Sequence, residues 1–270
     1  MPLFTTRPIE DFPIGNQLLS DHHAALGIDG LRTHPQAWLC SEEVAKLSEN
    51  GSATLTDDKG TALAWFGEYP DPAKSTPAEK SFLIIHPWDI LRANELFVSA
   101  LSESKIKGDI HPNAVVDGVI LLGAGSRILP GVYIEGNVVI GENCKIGPNC
   151  YLRGSTSIGD KCHIGQSVEI KNTVILSHSN VGHLSYVGDS VIGEKANLGA
   201  GTVTSNLRHD GKNHRTEVDG VLVDTGRRKF GCIIGDGVHT GINTSIYPGR
   251  KLWPGTSTRP GEIVQRDVSQ

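Results

Sequence analysis

No apolar run in this chain approaches the eighteen or so residues that span a bilayer, and the N-terminus has no signal-peptide pattern. The sequence also lacks an excess of basic residues: 25 Lys and Arg against 30 Asp and Glu give a net charge of -5, so there is no general nucleic-acid footprint. No Gly-rich phosphate loop occurs in roughly the first hundred residues, which argues against nucleotidyl transfer by that region. Cysteine is sparse, with five in 270 residues. Cys144, Cys150 and Cys162 each follow a repeating aliphatic by four places, and Cys232 precedes Ile234 by two. That slot suits a small inward residue, so these read as packed free thiols in a reducing compartment, and the cytoplasm is the default location.

What the chain does have is a period. From Ile110 an aliphatic residue recurs every sixth place for eleven positions: Val116, Leu122, Ile128, Ile134, Ile140, Ile146, Leu152, Ile158, Ile164 and Ile170 follow. A helix needs a period near 3.6 and a half-buried strand a period of 2, whereas a stacked parallel β-helix meets a period of six. The count slips by one residue twice, running on through Ile175, Val181 and Val187, then Ile192, Leu198 and Thr204. Ile234, Thr240, Ile246 and Leu252 return thirty residues later in phase, so 206–230 is an inserted loop.

Residues 1–104 show no such period and form a separate small α/β unit. Helical stretches are expected at Ser41 to Ser48 and Trp88 to Ser102, and strands at Ser52 to Thr56, Thr61 to Phe66 and Phe82 to Ile85. Pro70 to Pro77, with three prolines, reads as a loop or hinge. The helix from Trp88 is expected to cap the first coil, and the N-terminal unit to cover an open end against edge-to-edge growth. The β-helix occupies 105–270.

Three hexads make one triangular coil, so residues eighteen apart, or seventeen across a slip, stack at roughly 4.8 Å. Arg153 and Lys171 share such a column at a turn position where the motif prefers Gly, with Gly188 and Ser205 above them. Stacked like charges repel unless an anion sits between them, which marks a phosphate site. The plainer alternative is two solvated cations. A second column holds His163, Asn180 and Asn197, with His183 and Tyr186 expected on the neighbouring strand. His183 lies two places past an inward aliphatic and therefore faces outward. The inserted loop, from Asn206-Leu-Arg-His-Asp-Gly-Lys212 to Gly226-Arg-Arg-Lys-Phe-Gly231, carries further cations.

The stretch Arg153 to Asn206, with Val168-Glu-Ile-Lys171, Gly182-His-Leu-Ser-Tyr186 and Asn197-Leu-Gly-Ala-Gly-Thr202, resembles the acetyltransferase domain of bifunctional sugar-1-phosphate nucleotidylyltransferase/acetyltransferases. Gly226 to Asp236, Thr240-Gly-Ile-Asn243 and Tyr247-Pro-Gly-Arg250 look like its archaeal-type branch, and the resemblance covers about 105–268. It implies a left-handed β-helix and a homotrimer with active sites between subunits. It also implies acetyl-CoA as co-substrate and an amino-sugar phosphate such as glucosamine-1-phosphate as acceptor, with no metal, nucleic acid or membrane involved. Residue by residue, it implies that Arg153 and Lys171 hold the sugar phosphate and that Tyr186, Asn197 and Lys212 also contact it. His183 falls on the general base, Ala200 on a backbone contact to acetyl-CoA, and Asn206 on a residue lining the site. Ile242 stands where bacterial relatives have Ser, and the chain ends before their arginine-bearing tail. Pro2-Leu-Phe-Thr-Thr-Arg-Pro-Ile9 and Ile85-His-Pro-Trp-Asp-Ile90 are similar to pieces flanking the nucleotidylyltransferase domain, so 1–104 reads as a shortened remnant without pyrophosphorylase activity.

Two other functions fit parts of the pattern. His178 and His183, with His163 one coil earlier, suggest a zinc enzyme of the γ-class carbonic anhydrase type, though the columns separate His163 from His178. A binding module that keeps the scaffold without the activity suits the shortened N-terminal unit, against which stands the joint presence of His183, Tyr186, Asn197, Arg153 and Lys171.

Overall fold

The computed structural model describes residues 1–49 and 53–269. From Lys105 onward the chain winds into a prism with three faces of parallel strands. The first face has eight strands, from Lys105–Ile106 to Arg250–Leu252. The second has six, from Asp109–Ile110 to Asn197–Leu198, and the third has eight, from Val115–Asp117 to Ile263–Val264. Cα partners are eighteen residues apart in the early coils, as in Ile134 with Leu152 and Leu152 with Ile170, and seventeen apart from Ile170 to Val187. The period of six is thus one side of a triangle. The repeat aliphatics from Leu122 to Leu252 form one continuous buried core, while Ile110 and Val116 in the first coil are only partly covered. Cys144, Cys150, Cys162 and Cys232 are buried in the same core as free thiols, and burial pushes Cys150 and Cys232 up to about 12.

The corners require unusual backbone. Asn143, Asn149, Lys161, Ser167, His178 and Leu184 all have positive φ, each three places after an inward aliphatic. Asn tolerates this region best, whereas Leu184 at φ 51° is an exposed branched residue held there beside His183. Glycine one place after the aliphatic answers a different demand: a Cβ on Gly165 would lie 1.9 Å from the carbonyl oxygen of Gly182, one coil on.

The N-terminal unit contains helices α1 (Leu19–Ala25), α2 (Ser41–Glu49) and α3 (Pro87–Ser99). Its sheet has four strands in the order Leu31–Thr33, Ala62–Phe66, Thr54–Thr56, Ser75–Pro77. The expected helices and strands at Thr54, Ala62 and Phe82 are present, and Ser52 lies outside the described residues. The proline segment is not all loop: Ser75–Pro77 pairs in parallel with Thr54–Thr56 at the sheet edge, where a missing N–H costs no ladder bond.

Helix α3 does not cap the first coil. It lies across the outside of the first face, against the strands Thr156–Ile158 and Val191–Ile192. That face is apolar on both sides: Val174, Leu176, Val191 and Ile233 point outward and join Trp88, Ile90, Leu91 and Phe230 in a second core. Burying that outer surface draws the unit to the flank. Polar contacts fix its position. Buried Asn94 accepts from Ser157 Oγ (2.6 Å) and donates to the Ser155 carbonyl (2.8 Å), and Asn16 donates to the Ile158 carbonyl (2.6 Å). Arg7 pairs with Glu194 (2.9 Å) and Asp236 (3.0 Å). The first coil, which the helix from Trp88 is expected to cap, leaves Ile106 and Val115 each 53 % exposed.

The glycine geometry predicts opposite outcomes for neighbours in one column. Gly165→Ala forces backbone apart and should cost about 2–4 kcal/mol. A Cβ on Gly182 meets nothing within 4 Å, so Gly182→Ala should change stability by less than about 0.5 kcal/mol. Denaturant midpoints of the two variants check this; equal losses would mean that coil spacing is not what excludes a side chain at Gly165.

Candidate active site

The column reading holds in the backbone register. Glu135 pairs with Arg153, Arg153 with Lys171 and Lys171 with Gly188 on the third face. On the second face His163 pairs with Asn180 and Asn180 with Asn197. His183 ends the strand Asn180–His183, on the same strand as Asn180 rather than a neighbouring one, and Tyr186 opens the next strand across the Leu184 corner. Corner geometry separates them: His183 and Tyr186 flank one edge of the prism, each on its own face.

The two stacked cations are not bare. Arg153 pairs with Glu169 (2.7 Å) and Lys171 with Asp189 (2.8 Å), so the anion expected between them is replaced by a carboxylate at each. The pairs differ in burial. Arg153 and Glu169 side chains are about a third exposed, whereas Lys171 retains 14 % and Asp189 only 3 %. An exposed pair contributes little, so the Arg153 pair can exchange its carboxylate for another anion at small cost.

Asp189 is the hub of this side of the site. It holds positive φ at the corner and accepts from Lys171 Nζ, from Asn172 Nδ2 (3.0 Å) and from Asn206 Nδ2 (2.5 Å). Asn206 in turn donates to the Tyr186 hydroxyl (3.0 Å), and burial, followed by Asp189 and Glu169, raises the Tyr186 phenol above its ordinary value. Asn172 also donates to Glu95 of α3 (2.5 Å), and Glu95 receives both guanidinium ends of Arg227. The inserted loop is thereby stapled at its start by Asn206 and near its end by Arg227, with buried Phe230 packed edge-on against Trp88.

The structure thus brings together Arg153, Lys171, Tyr186 and Asn206. Asn197 and His183 are exposed on the second face, and Ala200 lies half-buried on the turn after Asn197–Leu198. His163, one coil before His183, has its imidazole pKa lowered by burial, then by Lys145 and His183. Lys212 takes no part in the cluster's hydrogen bonds; it lines a separate cleft with Arg208 and Arg250. Among the described residues no three His, Cys, Asp or Glu side chains assemble as metal ligands, so the zinc reading has no donor set within one chain.

Sequence reasoning missed Asp189, Glu169, Asn172, Glu95 and Arg227. Glu169 was accessible: it is two places from Lys171 on one strand and diagonal to Arg153, within reach of its long side chain. Glu95 was not, because it arrives from a helix docked on another face.

A sugar-1-phosphate nucleotidylyltransferase/acetyltransferase described as bifunctional, from Sulfurisphaera tokodaii, is 44 % identical over 182 residues, 67 % of this chain and 45 % of its own length. Over the matched residues the chain is homologous to part of that protein. The bifunctional protein GlmU of Methanococcus maripaludis is 50 % identical over 185 residues, covering 68 % of this chain and 44 % of that protein. The GlmU of Methanocaldococcus jannaschii is 36 % identical over 238 residues, 84 % of this chain and 54 % of the relative. The family model of the GMPPB C-terminal domain matches residues 134–252. Among solved structures, a putative acetyltransferase of Bacillus cereus aligns at 20 % identity with TM-score 0.27, over 60 % of this chain and 80 % of that one. The chain spans about half the length of the curated relatives it matches.

The unequal burial of the two ion pairs yields a prediction. Asp189→Ala leaves the Lys171 ammonium largely buried without its carboxylate and frees Asn206, and should cost about 2–4 kcal/mol in a denaturant melt. Glu169→Ala unpairs a half-solvated guanidinium and should cost less than about 1 kcal/mol. Equal losses would mean that Asp189 is not the structural hub.

Proposed function

We propose that the β-helix is an acetyl-CoA-dependent N-acetyltransferase acting on an amino-sugar phosphate such as glucosamine-1-phosphate. The observation that carries this reading is the stack of Arg153 on Lys171, joined through Asp189 and Asn206 to Tyr186, one corner away from an exposed His183. Homology to proteins named as sugar-1-phosphate acetyltransferases supports it.

In this reading the sugar phosphate displaces Glu169 from Arg153 and shares Lys171 with Asp189, so that bidentate and single-point donors fix one end of the acceptor. Tyr186, Asn206 and Asn197 add neutral contacts. Fixing the acceptor in this way removes part of the entropic cost of the barrier. The acceptor amine attacks the thioester carbonyl only as the free base. An imidazole, with an ordinary pKa of about 6.5, suits removal of its proton at neutral pH, and His183 holds that role. The C–N bond forms, the C–S bond breaks, and the departing thiolate takes up the proton. Backbone N–H groups of the turn Gly199-Ala200-Gly201 are the donors proposed for the tetrahedral oxyanion and the coenzyme.

His183 and Asn197 are exposed and have no side-chain partner in the polar cluster, which agrees with a site completed by a neighbouring copy in a homotrimer. Lys212, outside the cluster of its own chain, would then serve the phosphate of an adjacent subunit.

The test is thiol release from acetyl-CoA with glucosamine-1-phosphate, beside glucosamine, UDP-linked amino sugars and a no-acceptor control. Release should depend on the phosphorylated acceptor. His183→Ala should lower kcat by about 10²–10⁴-fold while acceptor affinity changes little. No release with any acceptor would leave a sugar-phosphate binding module as the function, and an active His183→Ala variant would remove the base assignment.

A further inference from the structure

The two ends of the prism differ. At the far end the last inward residues, Leu252, Thr258 and Val264, are at most 8 % exposed, and Val268 pairs with Leu252 and packs on the same core. At the near end the strands Lys105–Ile106, Asp109–Ile110 and Val115–Asp117 terminate the three faces. Their inward residues, Ile106, Ile110 and Val116, pair with Leu122, Ile128 and Ile134 of the second coil. Ile106 is exposed, and Ile110 and Val116 are only half-buried.

The backbone at this end is also left with unused groups. The N–H groups of Lys107, Asp109, His111 and Val115 donate to the carbonyls of Leu122, Ser126, Ile128 and Val132 in the second coil, and the Asp117 carbonyl accepts from Gly136. In a parallel ladder a residue turns its N–H and C=O toward one neighbouring strand, and the next residue turns both the opposite way. Ile106, Ile110 and Val116 therefore present theirs along the axis, away from the prism. Exposed outward side chains flank each of them: Lys105 and Lys107 beside Ile106, Asp109 and His111 beside Ile110, Val115 and Asp117 beside Val116. Among the described residues Lys105, Lys107 and Asp109 enter no ion pair, and the Asp117 carboxylate accepts only from the Tyr133 hydroxyl (3.5 Å).

This pattern is its own complement. A two-fold axis perpendicular to the prism, through the middle of its second face, reverses strand direction, returns the second face to itself and exchanges the first with the third. Ile106 then lies opposite Val116 of the second copy and Ile110 opposite Ile110 of the second copy, the antiparallel arrangement in which facing residues exchange both N–H···O bonds. The same operation sets Lys105 opposite Asp117 of the second copy, and Asp109 opposite His111 of the second copy. Apolar contact, backbone pairing and charge all agree in one register.

We propose that the first coil is a two-fold interface on which a second copy of this chain stacks end to end. The contact joins the two aliphatic cores and consumes both open edges, so the assembly closes at two prisms. The covered far end gives head-to-tail growth no matching surface. The interface does not depend on the transferase reading or on the lateral homotrimer proposed with it: single chains paired in this way are dimers, and trimers are hexamers.

Sedimentation equilibrium of the full chain tests this. The mass should correspond to an even number of chains. Ile106→Asp places a carboxylate at the centre of the contact, on a side chain already exposed in one copy, and should halve the mass while the circular dichroism spectrum stays the same. Lys105→Asp sets two carboxylates against each other and should raise the dissociation constant of end pairing by about tenfold or more; adding Asp117→Lys reverses the pair and should return it to within about threefold of the original. An odd number of chains at the highest soluble concentration overturns the proposal. So does an Ile106→Asp variant of unchanged mass, or a loss in Lys105→Asp that Asp117→Lys does not repair.

Discussion

Backbone pairing between coils one triangular turn apart governs the whole β-helix. Because each strand donates and accepts along the prism axis, the side chains of successive coils must stack in register at the strand spacing. Inward columns become a continuous aliphatic core, outward columns become ladders of like positions, and corners must turn within two or three residues. The left-handed backbone at Asn143 or Leu184 and the missing Cβ at Gly165 are consequences of that one spacing.

The departures from the period are not scattered. Both slips, from Ile170 to Ile175 and from Val187 to Ile192, fall at the corner joining the third face to the first, and the inserted loop leaves from the same corner after Thr204. Asn172 and Asp189 occupy the shortened turns, and Asn206 opens the lengthened one. Tightening two coils and opening the third brings Lys171, Asn172, Asp189 and Asn206 into contact through hydrogen bonds that a strict repeat would not provide. Arg227 and Glu95 then tie that corner to the loop and to α3. The edge of the prism where the repeat breaks is the edge that carries the polar cluster.

Much of this was legible in the chain. The inward aliphatics, the coil length, the slips and both polar columns follow from counting, because a β-helix converts sequence separation directly into distance. What was not legible came from outside the repeat. Val174, Leu176, Val191 and Ile233 flank inward residues with further apolar ones, which signals a strand covered on both faces; the period of six accounts only for the inward set. The lateral position of α3 follows from those residues. The carboxylate partners of Arg153 and Lys171 were hidden for a different reason. Reading columns straight up the axis omits diagonal neighbours such as Glu169, and Asp189 sits on a turn whose backbone direction the spacing does not specify.

The lateral placement of the N-terminal unit has a consequence for how the prism opens. A solenoid whose coils touch only their neighbours frays from its ends, one coil at a time. Here Asn16, Asn94 and Arg7 attach one folded body to Ser155, Ser157, Ile158, Glu194 and Asp236, along several successive coils. The body acts as a splint. Coils that bear Arg153, Lys171 and His183 cannot separate singly without also tearing the flank contact, so this middle section behaves as one cooperative block while the uncovered first coils, around Ile106 and Val115, remain free to breathe.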